Sequence, residues 1–260
     1  MRIATSPILA VDIGNTAIHV GLFDRGRITR QLSVPTAWAR HPVRLRQALG
    51  RIALRRAECA ILCSVVPRAT APVARALRAV GCSCVCVVGK DIKVPLKNRY
   101  RKPQQVGQDR LVGAYAAWFQ YGRGQGTGGK RRDCIICDFG TAVTIDLVTA
   151  RGEYLGGVIA PGLELSLRAL AERTALLPRV KLAKPPEPLG RTTEHSIQAG
   201  AIYGAATLCD GLVGLLKARY APSAVVVATG GAAGLVAPLS RTIQHVQPHL
   251  VLQGLYRLAV

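Results

Sequence analysis

The sequence predicts an α/β protein made of two similar halves, each with a mixed β-sheet covered by helices. The chain has 260 residues and is 49% hydrophobic, which is enough for a large packed core. Each half begins with three apolar runs separated by tight turns and then alternates between helical and strand patterns. The first run of each half ends in an Asp that is followed two residues later by a Gly, at Asp12 and at Asp138. We therefore expect one fold to occur twice.

The first half predicts three antiparallel strands, then helices and strands in alternation. A continuous apolar run at 59–66, closed by Pro67, indicates a buried strand. Apolar residues recur at helical spacing among the arginines of 42–56. The predicted strands are 8–11, 17–23, 27–34, 59–66 and 83–88, and the predicted helices are 42–56, 69–80 and 111–119.

The second half repeats this order after a glycine-rich linker at 121–130. The predicted strands are 134–138, 142–148, 154–159 and 224–229, and the predicted helices are 162–174, 194–217 and a short one after Gly230-Gly231. Three strands followed by alternating helices and strands predict a mixed sheet with both faces covered.

The charge balance narrows the classes of partner. There are 35 Lys and Arg residues against 14 Asp and Glu, which gives a formal net charge of +21. One interpretation is a polyanionic partner such as nucleic acid. The other is that arginines cover solvated faces and a few of them serve a phosphorylated substrate. We favour the second, and expect no specific nucleic acid, because the basic residues are dispersed and aromatic residues are only 5% of the chain.

The eight cysteines are interpreted as reduced, buried thiols, which suits the cytoplasm. Cys82, Cys84 and Cys86 alternate and are predicted to share one face of a strand. Cys134 and Cys137 would point to opposite faces of another strand, and no second pair with zinc spacing follows.

Other residues exclude several kinds of site. The five histidines form no spaced set, so we assign them no metal or catalytic role, and no Ser-His-Asp arrangement is evident. The beginning of the chain has no signal-peptide pattern, and Gly and Pro interrupt the uncharged stretch 223–240. We expect a cytoplasmic protein with no membrane partner.

The two Asp-Gly turns suit metal and phosphate binding. A carboxylate at a strand end can hold a cation, and the following Gly lets backbone N–H groups approach phosphate oxygens. An isolated Asp-x-Gly is a common turn, but its equivalent place in both halves favours a role in binding a nucleotide triphosphate. The turn 229–234 is weaker, because its spacing is not that of a dinucleotide-binding fingerprint.

The segment Gly107-Gln108-Asp109-Arg110 precedes an apolar helix and has two interpretations. Asp109 could be an N-cap with Arg110 in solvent. Alternatively, Asp109 is a general base and Arg110 binds an anionic substrate.

Together, these motifs resemble the type III pantothenate kinases, a family of the acetate and sugar kinase/heat-shock 70/actin superfamily. The resemblance extends in order over nearly the whole chain, at residues 12–16 with Gly21, 63–67, 100–110, 138–144, 156–157, 159–162, 174–178, 193–200 with Gly204, and 229–231. It implies two duplicated ribonuclease H-like domains with mixed central sheets, as in actin-like ATPases. Domain 1–120 would carry the first phosphate loop and the substrate loop, and domain 133–260 the second phosphate loop, the adenosine turn and the dimer helices.

The resemblance implies a role for particular residues. The ATP-binding positions are Asp12, Ile13, Gly14, Asn15, Thr16, Ala17, Ile18, His19, Thr141, Gly230 and Gly231. The pantothenate-binding positions are Tyr100, Gly107, Gln108, Asp109, Arg110 and Thr193, with Asp109 as the catalytic base. Asp12 would hold Mg²⁺ with ATP, and Asp138 a monovalent cation, K⁺ or NH₄⁺.

The implied activity is ATP-dependent phosphorylation of pantothenate to 4′-phosphopantothenate, the first step of coenzyme A biosynthesis. The alternatives are a non-catalytic accessory or transcription-regulating relative on the same fold, and a sugar kinase of the same superfamily. The chain departs from the family pattern at Gln108, at Ala199 and in a long linker at 122–132, none of which removes a residue with an implied chemical role.

The stretch 200–216 is apolar almost all round, with Asp210 as its only charged residue. Such a helix is normally covered on every side. From the residues alone, cover by the same subunit and by a second subunit are equally compatible. The resemblance implies a homodimer with pantothenate at the subunit boundary.

Overall fold

The computed structural model describes residues 7–53, 57–124 and 129–260. The strands are β1 (Ile8–Ile13), β2 (Ala17–Asp24), β3 (Arg27–Pro35), β4 (Cys59–Ser64), β5 (Cys84–Val87), β6 (Lys97–Asn98), β7 (Cys134–Phe139), β8 (Ala142–Val148), β9 (Glu153–Pro161), β10 (Val225–Thr229) and β11 (His245–Val246). The α-helices are α1 (Pro42–Ala53), α2 (Pro67–Ala79), α3 (Gln108–Ala117), α4 (Leu163–Arg173), α5 (Thr193–Arg219), α6 (Ala233–Val236) and α7 (Leu250–Ala259).

The chain forms two compact units. The first contains the described residues up to Leu96, together with Arg101–Ala116 and Leu250–Val260. The second contains Lys97–Tyr100 and the described residues of Ala117–His249. These units differ from the predicted ranges 1–120 and 133–260 chiefly at the C-terminal end. There α7 joins the first unit, because it packs on β1 and buries its apolar face.

The sheet of the first unit has the order β3-β2-β1-β4-β5. The pairs β1–β2 and β2–β3 are antiparallel, whereas β1, β4 and β5 are parallel. On one face of the sheet, α1 and α2 complete a core that includes Leu9, Leu45 and Leu77, all fully buried.

The sheet of the second unit has the order β11-β10-β7-β8-β9-β6. Without β6, its order and strand directions repeat those of the first sheet, with β7 in the place of β1 and β10 in the place of β4. The predicted duplication is confirmed at the level of topology. One face carries α5, whose Ile202, Cys209 and Val213 are fully buried against the sheet.

Most predicted elements are present with small shifts at their ends. The helix predicted from residue 69 begins at Pro67, because a proline in the first helical position needs no backbone N–H and has a helical φ. Three elements were not predicted, namely β6, β11 and α7. The end of the helix predicted at 42–56 and part of the predicted linker fall on 54–56 and 125–128, outside the described residues.

The cysteine prediction is partly wrong. Cys84 and Cys86 lie on β5 with their Sγ atoms 3.7 Å apart, as expected for one face of a strand. Cys82 lies before the strand, and its thiol donates to the carbonyl of Ala57 over 3.4 Å. The reason is Gly81, which has φ +108° and turns the chain after α2, so that β5 begins two residues beyond Cys82.

Helix α5 combines length with incomplete burial. By length and hydropathy alone it could cross a membrane, a test that core helices of soluble proteins also pass, and 33% of its most apolar window is buried. Leu208 and Leu215 are 41% and 68% exposed. Part of the apolar surface of this helix is therefore exposed to solvent.

Candidate active site

In the first unit, Asp12 lies near the end of β1, between His19 of β2 and Cys63 of β4 in the strand register. The Cys63 thiol donates a hydrogen bond to Asp12 Oδ1 over 3.3 Å. Asp12 is thus a partly buried carboxylate held from the neighbouring parallel strand. Sequence reasoning did not assign Cys63 a role. A signal was present in the sequence, since the motif 63–67 begins at the end of the strand that pairs with β1.

The loop after Asp12 is fixed through its backbone. Gly14 N donates to the carbonyl of Ala17 over 3.0 Å, and the Thr36 hydroxyl donates to the carbonyl of Gly14 over 2.7 Å. The side chains of Asn15 and Thr16 are exposed at the tip. A fixed turn with exposed polar groups at a strand end is suited to an anionic ligand.

Asp109 lies in the first turn of α3, which begins at Gln108, so it does not precede the helix as an N-cap. Its Oδ1 accepts a hydrogen bond from the backbone N–H of Arg110 over 2.7 Å. A Cβ on Gly107 would overlap the Asp109 carboxylate and would come within 3.3 Å of Val65, which follows β4. The absence of a side chain at Gly107 therefore lets this carboxylate fold back beside the β4 end.

The two carboxylates of the first unit influence each other. Burial, and then the negative charge of Asp109, raise the pKa of Asp12 to about 7, against the lowering effect of the Cys63 hydrogen bond. Burial and the charges of Asp12 and Asp109 likewise raise the pKa of the Cys63 thiol well above its usual value. A cation beside Asp12 would relieve this repulsion and favour the ionised carboxylate.

Gln108 is placed by a contact with a second turn of the first unit. Gly89 has φ +88°, and a Cβ on it would lie 2.9 Å from the Gln108 side-chain carbon. The long side chain of Gln108 therefore packs against a glycine, next to Asp109 and Arg110 in the motif.

In the second unit, Asp138 occupies on β7 the place that Asp12 has on β1. It lies between Thr144 of β8 and Thr229 of β10 in the register. Gly140 N donates to the carbonyl of Ala142 over 3.1 Å, a counterpart of the Gly14 bond. The side chain of Thr141 is exposed at this turn.

The glycine turn after β10 lies directly against Asp138. Gly230 has φ +92°, and a Cβ on it would overlap Asp138 Oδ1 and the backbone of Phe139. Ala232 N donates to the carbonyl of Phe139 over 3.1 Å. Gly230 and the exposed Gly231 therefore belong to the same surface as Asp138 and Thr141.

Tyr100 and Thr193 also belong to the second unit, at other places. The Tyr100 ring lies against Gly156 of β9. Thr193 is the first residue of α5 and lines a cavity of about 890 Å³ between α4, α5 and the ends of β8 and β9. Within the described residues, no cluster of three or more His, Cys, Asp or Glu side chains forms a metal site.

Comparison with known proteins identifies the family. A family model described as type III pantothenate kinase matches residues 8–215. The chain belongs to the type III pantothenate kinase family. A type III pantothenate kinase of Symbiobacterium thermophilum is 43% identical, with 95% of this chain and 94% of that protein covered. One from Geobacter sulfurreducens is 39% identical, with 95% and 96% covered.

Solved structures identify the fold of this pantothenate kinase family member. A putative Baf family transcriptional activator from Campylobacter jejuni superposes with a TM-score of 0.58 at 15% identity, covering 96% of this chain and 95% of that one. An archaeal actin homologue gives 0.55 at 10% identity, covering 98% and 99%. The predicted pair of duplicated ribonuclease H-like domains, as in actin-like ATPases, is confirmed.

Proposed function

We propose that this protein transfers the γ-phosphoryl group of ATP to pantothenate, forming 4′-phosphopantothenate, the first step of coenzyme A biosynthesis. Among the structural features, the pair Asp12 and Asp109 carries the proposal. Both lie in the first unit, the charge of Asp109 raises the pKa of Asp12, and both charges raise the pKa of the Cys63 thiol, so the two carboxylates lie near each other. A kinase needs one carboxylate near the phosphates and another near the acceptor hydroxyl.

In this mechanism Asp109 accepts the proton of the primary hydroxyl of pantothenate as that oxygen attacks phosphorus. General-base catalysis of this kind contributes about 10²- to 10⁴-fold in rate. The bond from Arg110 N orients the carboxylate, and Gly107 leaves it room. Most of the remaining acceleration comes from positioning and from neutralising phosphate charge.

The ATP-binding assignments are the loop 12–19, Thr141, and the pair Gly230-Gly231. The carboxylate of Asp12 offers oxygen ligands that suit Mg²⁺. Burial and then the charge of Asp109 raise its pKa, so a bound cation would favour its ionised form. The carboxylate of Asp138, which lies against Gly230, offers oxygen ligands that suit K⁺ or NH₄⁺. Bound cations would neutralise phosphate charge. Asp12 and Asp138 supply the oxygens that hold them.

For pantothenate, Arg110 is assigned to its carboxylate, because a guanidinium binds carboxylates with two parallel hydrogen bonds. Tyr100, Gly107, Gln108 and Thr193 complete the substrate-binding set. Gln108 narrows the space beside Gly89 compared with the small residue usual in the family.

We further propose a homodimer with pantothenate at the subunit boundary. The supporting features are the exposed leucines of α5 and the cavity in which Leu208 and Leu170 lie with Thr193. A second copy of the chain would cover this surface. We place the dimer in the cytoplasm, with no membrane partner and no specific nucleic acid partner.

The alternative is a non-catalytic accessory or transcription-regulating protein. The Campylobacter structure carries such a name, but at 15% identity it supports the fold alone. Retention of Asp12, Asp109 and Asp138 favours the enzyme. A sugar kinase is disfavoured by the Gly-Gln-Asp-Arg segment at 107–110.

The test is a panel of acceptors. The purified protein is incubated with radiolabelled ATP, Mg²⁺ and K⁺ and with pantothenate, glucose or N-acetylglucosamine. We expect label transfer to pantothenate only. Transfer to a sugar would replace the proposal with the sugar kinase. No transfer, combined with tight and sequence-selective binding of duplex DNA at moderate salt, would favour the regulator.

A further inference from the structure

We propose that Gly156 and the Arg99–Glu153 pair hold Tyr100 in the position from which it binds the substrate. Residue 156 is therefore a determinant of pantothenate affinity. The inference rests on the proposed function, since it takes Tyr100 as a pantothenate-binding residue. Gly156, Arg99 and Glu153 are positioning residues, because they act through Tyr100. Gly156 lies against its ring, and Glu153 binds Arg99, the residue before it.

The segment that carries Tyr100 is held on β9 by strand pairing. β6 adds to the sheet in parallel, with Lys97 opposite Glu153 and Asn98 opposite Tyr154. Lys97 N donates to the carbonyl of Gly152 over 2.9 Å, and Arg99 N donates to that of Tyr154 over 2.8 Å. The backbone on the N-terminal side of Tyr100 is thus fixed to β9.

Side-chain contacts also hold the segment 97–100. Arg99 Nε donates to Glu153 Oε1 over 3.0 Å, and Lys97 Nζ lies 4.0 Å from the same oxygen. The hydrogen bond from Arg99 holds the pKa of Glu153 below its usual value. Tyr100 N in turn donates to the side-chain oxygen of Asn98 over 3.0 Å, which sets the direction in which the chain leaves the strand.

The ring of Tyr100 packs against Gly156. The register of β8 and β9 shifts between Leu147 and Val148, so that Leu155 has no partner on β8. Gly156 follows with φ +123°, a conformation that residues with side chains rarely adopt. A Cβ there would lie 3.2 Å and 3.3 Å from Cδ2 and Cε2 of Tyr100. The bulge and the missing side chain together set the height and tilt of the ring.

Two features therefore require a glycine at position 156, namely the positive φ of the bulge and the close approach of the Tyr100 ring. Gly156 is buried, and the Tyr100 carbons are the heavy atoms that its Cβ would meet within 4 Å. Its neighbour Gly157 differs, because a Cβ there would overlap the backbone of Ile145 and the side chain of Asp146. The missing side chain at residue 157 therefore serves the packing of the sheet, whereas the missing side chain at residue 156 makes room for the Tyr100 ring as well as permitting the bulge.

The test compares steady-state constants for Gly156→Ala, Arg99→Gln and Tyr100→Ala. For Gly156→Ala we expect the KM for pantothenate to rise roughly tenfold, because a displaced ring misplaces the substrate, while the KM for ATP stays unchanged. For Arg99→Gln we expect a rise of roughly two- to fivefold, the range for an exposed ion pair. Leu155→Ala is the matched control, since it shortens an exposed side chain in the same bulge and should behave as wild type.

A double-mutant cycle separates positioning from general damage. In a Tyr100→Ala background, Gly156→Ala should change the KM for pantothenate by less than about twofold, because there is no ring left to displace. An undiminished effect in that background, or an unchanged KM in Gly156→Ala, would overturn the inference. If Gly156→Ala does not fold, the Arg99→Gln result decides, and an unchanged KM there overturns it. A wild-type protein that does not phosphorylate pantothenate would instead overturn the proposed function, before any variant is compared.

Discussion

At the scale of single residues, the two Asp-Gly turns illustrate how far a sequence motif can be interpreted. Asp12 and Asp138 lie near the ends of equivalent strands. In each turn the Gly N–H donates to a carbonyl farther along the chain, three residues on at Ala17 in the first unit and two residues on at Ala142 in the second. The motif predicts this much because the Asp, the Gly and the strand are all local. The partners Cys63 and Gly230 come from distant parts of the chain, and only the strand register identifies them.

Asp138 gives a prediction about salt. If its carboxylate holds a monovalent cation, phosphorylation of pantothenate requires K⁺ or NH₄⁺ and fails in Na⁺ alone. Asp138→Asn should weaken this dependence and raise the apparent KM for ATP roughly tenfold or more, since interactions with charged groups contribute about 1.5–3 kcal/mol. The measurement is initial rate against ATP in the three chloride salts. Equal wild-type rates in all three would contradict the assignment.

At the scale of elements, long periodic segments are predictable and short ones are not. The succession of strands along each half follows from apolar runs and turns. β6 and β11 have two residues each, too few for a periodicity to be recognised. Helix α7 carries a clear apolar face, but its packing on β1 depends on a contact across most of the chain length. Local patterns cannot specify such a contact, so the unit boundaries were harder to predict than the sheets.

A buried hydrogen bond links β8 to β9. The Tyr154 hydroxyl donates to Asp146 Oδ1 over 2.6 Å, and both residues are at most 2% exposed. Tyr154→Phe removes the donor and should lower the free energy of unfolding by about 1–3 kcal/mol. Urea unfolding followed by circular dichroism measures this loss. Tyr220→Phe, at a tyrosine 56% exposed, is the control and should be neutral. Equal stability of the two variants would show that the buried bond contributes nothing.

Asp210 of α5 gives a prediction about pH. Burial raises its pKa, but the hydrogen bonds from Arg241 N, Ser240 and Thr242 outweigh burial, so the pKa lies below its usual value. Arg241 N lies 2.8 Å and Thr242 Oγ1 2.7 Å from the carboxylate. A carboxyl with a lowered pKa in the folded state stabilises the protein above its unfolded pKa, near 3.9, and loses this contribution as pH falls through the folded value.

Asp210→Asn should therefore be less stable than wild type at pH 7, and the difference should shrink below about pH 4. Thermal unfolding of both proteins between pH 3 and 8 measures it. Glu172→Gln, at an exposed residue of α4, controls for the loss of one charge. A stability difference that stays constant across this range would refute the role of ionised Asp210.

At the scale of the whole molecule, the fold could be predicted from repeated patterns, and the chemistry of the site mainly from the resemblance. The sequence leaves Asp109 open between an N-cap and a base, and the structure shows why. Asp109 lies inside the first turn of α3, and its carboxylate occupies space left by Gly107 beside Val65, a residue that the local pattern does not connect with it. The net charge of +21 did not help to predict any helix or strand, because arginines in solvent occur on all kinds of secondary structure.

The proposed shared site gives a test by subunit mixing. Asp109→Asn and Thr193→Arg subunits should each be inactive, since one lacks the proposed base and the other blocks the proposed pantothenate site. Because the proposed site takes Asp109 from one subunit and Thr193 from the other, a mixed dimer should contain one intact site. We expect activity to reappear on mixing. Sedimentation is the check on assembly, and a fully active monomer at assay concentration would refute the shared site.

The central claim is that Asp109 accepts the proton as phosphate is transferred from ATP to the primary hydroxyl of pantothenate. The most direct test is single-turnover transfer from radiolabelled ATP to pantothenate by wild type and by Asp109→Asn, with ATP binding measured in parallel. We predict 4′-phosphopantothenate from wild type, and a rate roughly 10²- to 10⁴-fold lower in the variant with unchanged ATP affinity. A variant that transfers phosphate at a near-normal rate would contradict the account.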